Sequence, residues 1–127
     1  MSEVLNIAVF ASGRGSNFEA ILRGIETGRL QNVSIAVVIS NNFDAPVLAI
    51  AREHNVPAYQ LSQKQYLSEK EFDDAIFAVL DRHCVNFVVL AGYMKILSTS
   101  IIRRFPNRIL NIHPALLPNF GGTGMYG

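Results

Sequence analysis

The strongest constraint on this chain is a set of short apolar runs separated by helix-patterned segments. LNIAVFA (5–11), SIAVVIS (34–40) and FVVLAG (87–92) are almost unbroken in their apolar character and rich in β-branched residues. A strand with one face in water alternates polar and apolar positions. A strand of a parallel sheet covered on both faces does not, because both of its faces are core. AYQL (58–61) and RILNI (108–112) are weaker strands of the same set. Strand and helix therefore alternate along the chain, which predicts an α/β fold: an open, mostly parallel doubly wound sheet of Rossmann-like type with right-handed crossovers. The first strand is expected to be central, with order 3-2-1-4-5, and residues 1–127 to form a single domain.

The helices carry their own signals. Ser16 with Glu19, and Ser68 with Glu71, match the capping-box spacing, in which the hydroxyl and the carboxylate each accept an N–H of the first turn. Gly28 is placed to stop the first helix. Asp44 is expected to cap the second, with Pro46 tolerated in its first turn. After Ser68, the residues Phe72, Ala75, Ile76, Val79 and Leu80 step by three and four along one face, a stripe that must be buried.

Of the 127 residues, 50% are hydrophobic and 17% charged, enough apolar material for one core. Eleven basic side chains against ten acidic ones leave a net charge of +1, spread without a basic arm, so nucleic acid is not an expected partner. The single cysteine, Cys84, ends an apolar stripe and is expected to be a small buried hydrophobe. Having no partner, it points to a reducing, cytoplasmic setting. No leader-like segment opens the chain, and no apolar run approaches the roughly 20 residues a bilayer requires, so no membrane is expected. The last stretch, NFGGTGMYG (119–127), holds four glycines in seven residues; it buries too little to order itself and is expected to be mobile, in a chain that reads as cut short.

Two regions carry chemistry. After the first strand, Ser12-Gly13-Arg14-Gly15-Ser16-Asn17 leads straight into a helix. A helix N-terminus offers unpaired N–H groups and partial positive charge, which suit a phosphate. The dinucleotide fingerprint fails, because Phe18 stands where a third small residue belongs and Ser40-Asn41-Asn42 where an acid belongs. A P-loop fails for want of a lysine. The same glycines would also serve a plain strand-to-helix turn capped by Ser16. In the second region, LAGYMKILS (90–98), the residues Met94, Lys95, Ile96 and Leu97 could wall a flat ring or simply pack a loop. Further on, ILNIHPALLP (109–118) places Asn111 and His113 two apart on a strand, hence on one side. A carboxamide and an imidazole so placed can stabilise an oxyanion, and the imidazole can relay a proton. His54 and His83 lie on helices far from His113 in sequence, so no metal is expected.

SGRGSN, LAGYMKIL and LNIHPALLP, in this order, resemble the phosphoribosylglycinamide formyltransferase family, over a span from about residue 5 to the end. The resemblance implies transfer of a formyl group from 10-formyltetrahydrofolate, as co-substrate, to the amine of glycinamide ribonucleotide in purine biosynthesis, without a metal. It implies that Gly15, Ser16 and Asn17 hold the ribonucleotide phosphate. It also implies that Met94, Lys95, Ile96 and Leu97 line the folate pocket together with Asn111, Lys95 standing where the family often has arginine. A basic residue before the third helix is used for the folate as well, and Lys70 is the counterpart here. Asn111 and His113 are implied as the catalytic pair, and the family's catalytic aspartate as lying beyond residue 127, so that these 127 residues alone are expected to transfer little or nothing. The implied protein is a monomer or homodimer. A nucleotide- or phosphate-binding module without catalysis, and a formyltetrahydrofolate deformylase, are the rival readings of the same motifs.

Overall fold

A computed structural model describes residues 3–112 and 125–126. Strand β1 (Leu5–Phe10) is followed by helix α1 (Ser16–Glu26), β2 (Val33–Ser40), α2 (Pro46–Glu53), β3 (Ala58–Gln60), a 3-10 turn (Gln63–Gln65), α3 (Glu69–Arg82), β4 (Phe87–Ala91), α4 (Thr99–Arg104), β5 (Ile109–Ile112) and β6 (Met125–Tyr126). The sheet order is β3-β2-β1-β4-β5-β6. The first five strands run parallel in the expected order; β6 is antiparallel to β5, pairing Tyr126 with Asn111 and Met125 with Ile112. The expectation of a wholly mobile tail is corrected for these two residues, which gain strand partners. For 113–124 and 127 it lies outside the described residues.

Strand β1 shows why its sequence does not alternate. Ile7, Val9 and Ala11 pack with Phe18 of α1 and Val47, Leu48 and Ala51 of α2 on one face. Ala8 and Phe10 pack with Ile76 and Leu80 of α3 and Ile101 and Phe105 near α4 on the other. Phe10 and Phe18 are both fully buried, and burial of such a side chain is worth about 1.5–3 kcal/mol. The stripe expected on α3 is the face that enters the second cluster, with Phe72 and Ala75 at its margin. On the first face, beyond α1, Phe87, Val89, Leu110 and Ile112 help line an apolar hollow of about 230 Å³.

Two caps differ from expectation. Helix α1 starts one residue earlier than a Ser16 cap allows: its N-cap is Gly15, in the left-handed region at φ 89°, and Ser16 is already helical. Glycine takes this conformation without the Cβ clash that would burden serine. Helix α2 is capped by Ala45 with no side-chain bond, while Pro46 fills its first position; Asp44 is not the cap. At α3 the hydroxyl of Ser68 accepts the Glu71 N–H at 3.1 Å as expected, but the Glu71 carboxylate reaches one residue further back, to the Leu67 N–H at 3.2 Å. The full reciprocal box belongs to Ser62 and Gln65 on the 3-10 turn.

Cys84 is exposed, not buried. It takes a positive φ of 55° immediately after α3, as Asn32, Asn55 and Asn107 do at the other turns that lead into strands. That reversal carries its side chain off the helical face on which a continued stripe would have buried it. All four turns lie at the amino edge of the parallel strands, leaving the carboxyl edge to a different set of loops.

Candidate functional site

Because β1, β2, β4 and β5 are parallel, the loops after β1, β2 and β4 converge on one edge of the sheet, where open α/β folds place their ligands. The first loop is Ser12–Gly15. The carbonyl of Gly15 accepts the Glu19 N–H at 2.9 Å, beginning α1, and no side chain caps the helix. Its first-turn amides, at Ser16 and Asn17, therefore have no intrahelical acceptor. Around them lies a cavity of about 550 Å³ lined by Ser12–Asn17, Asn42, Ala91, Gly92 and Met94. Asn17 is buried, whereas Ser16 and Arg14 are exposed; Arg14 brings a full positive charge to the cavity wall.

Gly15 and Gly13 do different work. A Cβ on Gly15 would stand 3.0 Å from the Cβ and Cγ2 of Val47, so the start of α2 leaves no room for one, and the positive φ would strain any side chain independently. A Cβ on Gly13 would meet nothing within 4 Å. Its carbonyl instead accepts the Val47 N–H at 3.1 Å, tying the loop to α2.

The loop after β4 begins at Gly92, φ 74°. Tyr93 turns inward against Phe10, the ring centroids 5.3 Å apart in an edge-to-face arrangement, and burial pushes its phenol up to about 12. Met94 and Ile96 then stand 78% and 94% exposed at the cavity rim. Leu97 turns into the core. This segment links three cavities. Met94 borders the glycine cavity. Lys95 and Ile96 border a second, of about 360 Å³, with Asn41, Asn42, Ser62, Lys64 and Phe72. Lys95, Ile96 and Leu97 border a third, of about 390 Å³, whose far wall includes Asn111.

Asn111 is half-buried on β5, paired in register with Leu90 of β4. Along β5, Leu110 and Ile112 pack toward the α1–α2 side and Ile109 toward the α3–α4 side, which puts Asn111 on the latter face. His113 lies outside the described residues. Lys70 stands on the exposed first turn of α3, paired with Asp74 at 2.8 Å, and that hydrogen bond raises its ammonium above the ordinary range. It lines none of the three cavities; Lys64 and Lys95 are the lysines that do. Among the described residues no three His, Cys, Asp or Glu side chains gather as metal ligands, and no helix is long and apolar enough to cross a membrane.

The hydrogen bonds that hold these loops together involve residues the motif reading passed over. The Ser12 hydroxyl donates to Asn41 Oδ1 at 2.6 Å and accepts the Met94 N–H at 2.7 Å. The Ser12 carbonyl accepts from Asn42 Nδ2 at 2.7 Å, and the Ser12 N–H donates to the Gly92 carbonyl at 3.2 Å. Asn41 and Asn42 entered the sequence reading only as the absence of an acid. The available signal was that polar residues follow directly on apolar strands at the ligand edge.

Comparison with known proteins agrees with this architecture. The family model described as "Formyl transferase" matches residues 5–127. A phosphoribosylglycinamide formyltransferase of Haemophilus influenzae is 42% identical over 120 residues, covering 94% of this chain and 56% of that protein. The chloroplastic phosphoribosylglycinamide formyltransferase of Arabidopsis thaliana is 40% identical over 122 residues, covering 95% and 41%. The crystal structure of glycinamide ribonucleotide transformylase 1 from Symbiobacterium toebii superposes with a TM-score of 0.82 at 42% identity, covering 97% of this chain and 57% of that one. The chain spans about half the length of the curated relatives it matches. With a match that runs from β1 to its last residue, the chain belongs to the formyl transferase family.

Proposed function

We propose that the protein carrying this chain is a phosphoribosylglycinamide formyltransferase, moving a formyl group from 10-formyltetrahydrofolate to the amine of glycinamide ribonucleotide, in the cytoplasm, as a monomer or homodimer. The observation that supports this most is the continuity of the carboxyl edge: one loop, Met94–Leu97, borders both the glycine cavity and the cavity that Asn111 faces. An acceptor held at one end and a donor laid along the loop would meet beside Asn111.

The phosphate would rest on the amides of Gly15, Ser16 and Asn17, with Arg14 adding charge at the rim. The folate co-substrate supplies the formyl carbon. Exposed Met94 and Ile96 suit its flat ring, and the backbone between them suits its polar edge. Lys95 and Lys64 face the cavity where an anionic tail would lie, while Lys70 would have to leave Asp74 to join them. As the amine attacks the formyl carbon, the Asn111 carboxamide and His113 would donate to the oxygen gaining charge. The bond from that carbon to the folate nitrogen then breaks, and His113 would pass the proton lost by the amine to that nitrogen, which leaves as tetrahydrofolate.

Replacing Asn111 with alanine in the intact protein tests the assignment. Steady-state kinetics with both substrates should show kcat lowered by roughly 10²–10³, the range for loss of one oxyanion donor. The dissociation constant of the ribonucleotide, read by calorimetry, should stay within about threefold, since the phosphate grip lies elsewhere. Ribonucleotide binding without formyl transfer by the wild-type protein would identify a binding module. Release of formate without an acceptor would identify a deformylase.

A further inference from the structure

Ser12 is buried on the wall of the glycine cavity, in the same loop as the expected phosphate turn, and its hydroxyl bonds the loop after β2 at Asn41 and the loop after β4 at Met94. Its hydroxyl bonds both ways, donating to Asn41 and accepting from Met94. Its main chain is equally committed, to Asn42 on one side and Gly92 on the other. Asn41 extends the connection: its carbonyl accepts from Gln60 Nε2 at 2.9 Å at the end of β3, and its amide reaches Asn42 Oδ1 at 3.3 Å. One serine thereby ties together the chain ends of β1, β2 and β4, and through Asn41 that of β3.

We infer that Ser12 is a positioning residue for formyl transfer: it fixes the loop at Met94 relative to the glycine turn, and so sets the separation of donor and acceptor. The inference rests on the function proposed above. The residues immediately after Ser12 would hold the acceptor's phosphate, and Met94, whose N–H it receives, opens the wall against which the donor would lie. A displacement of about 1 Å between two reactants is enough to cost on the order of 10²-fold in rate, while each ligand still finds its own subsite. Removing the hydroxyl should therefore damage the chemical step more than either binding step. It also leaves Asn41 Oδ1 and the Met94 N–H without their partner, so the loop is released rather than re-formed.

Ser12→Ala and Asn41→Ala, singly and together, test this in the intact protein, with thermal melting to establish that each variant folds. For Ser12→Ala, kcat should fall at least tenfold, while KM for glycinamide ribonucleotide and for 10-formyltetrahydrofolate each change less than threefold. Asn41→Ala should lower kcat in the same way. The double variant should be little worse than Ser12→Ala, because the two act through one bond. Ser12→Thr, which keeps the hydroxyl, should recover most of the rate. A raised KM with kcat intact, or losses that multiply in the double variant, would overturn the positioning role while leaving the enzyme assignment in place. If Ser12→Ala does not fold, Asn41→Ala decides by the same split between kcat and KM. Absence of transfer by the wild-type protein would instead remove the proposed function, and the positioning role along with it.

Discussion

The two loops that flank the candidate site are bonded to each other yet present opposite surfaces. The turn after β1 is tight and polar, bonded on all sides: Ser12 and Gly13 bond to three other segments, and α2 leaves no room for a side chain at Gly15. The loop after β4 is tied to that turn through the Gly92 carbonyl and the Met94 N–H, packs inward at Tyr93 and Leu97, and leaves the side chains of Met94 and Ile96 in solvent. The first can present a fixed set of amides to a compact anion. The second presents apolar surface whose removal from water under a flat ligand would be favourable. The proposed site, with one charged and one flat ligand, has use for both.

Breaking the first loop should have the largest effect on the fold. Gly15→Ala introduces a Cβ into a left-handed residue and against Val47, and should cost about 3 kcal/mol in urea unfolding. Gly13→Ala, whose Cβ has open space, should cost less than about 1 kcal/mol and so separate backbone strain from mere glycine content. Equal costs for the two would end the distinction.

The second loop should respond to alkali. The Tyr93 phenol titrates near 12 when folded because burial penalises its anion, against about 10 in an unfolded chain. Its neutral form thus contributes stability that is intact below pH 10 and is lost as pH rises toward 12. Discounted for partial exposure, the loss should be on the order of 1–2 kcal/mol. Tyr93→Phe should abolish that part of the alkaline decline in a pH series of chemical denaturation, and an unchanged slope would mean that the buried anion is not what is being resisted.

The smallest effect should come from the exposed tip. Ile96→Asp should leave thermal stability almost unchanged, because the side chain is nearly all in water, but should raise KM for 10-formyltetrahydrofolate about tenfold, equivalent to roughly 1.4 kcal/mol. A loss of stability with KM unaltered would make the tip a packing element and not a ligand wall.

The strands and their order were legible because burial on both faces writes itself into sequence as unbroken apolar runs. The stripe on α3 was legible because 14 residues give a helical period room to repeat. Helix α4, six residues with Ser98 as cap, has too few turns to display one and went unread. Caps were misplaced where spacing fitted a motif but the backbone did otherwise: Ser16 has the right neighbour at Glu19, yet Gly15 is the residue that can take φ 89°. The exposure of Cys84 depends on a chain reversal that no local pattern announces. Within the site, Gly15, Asn111 and the 94–97 segment were visible as motifs. The Ser12 bonds span 29 and 82 residues, and contacts at such separations exist only once the sheet has brought its strand ends together.

The Cβ and Cγ2 of Val47, crowding the point where a Cβ of Gly15 would stand, constrain the opening motif from more than thirty positions downstream. A bulkier residue at the turn could be inherited only alongside a retreat of the second helix, and that retreat would also loosen the strap from Val47 to Gly13. Drift in the one segment is thus limited by the other, although the two are far apart along the chain and Val47 borders no part of the cavity itself.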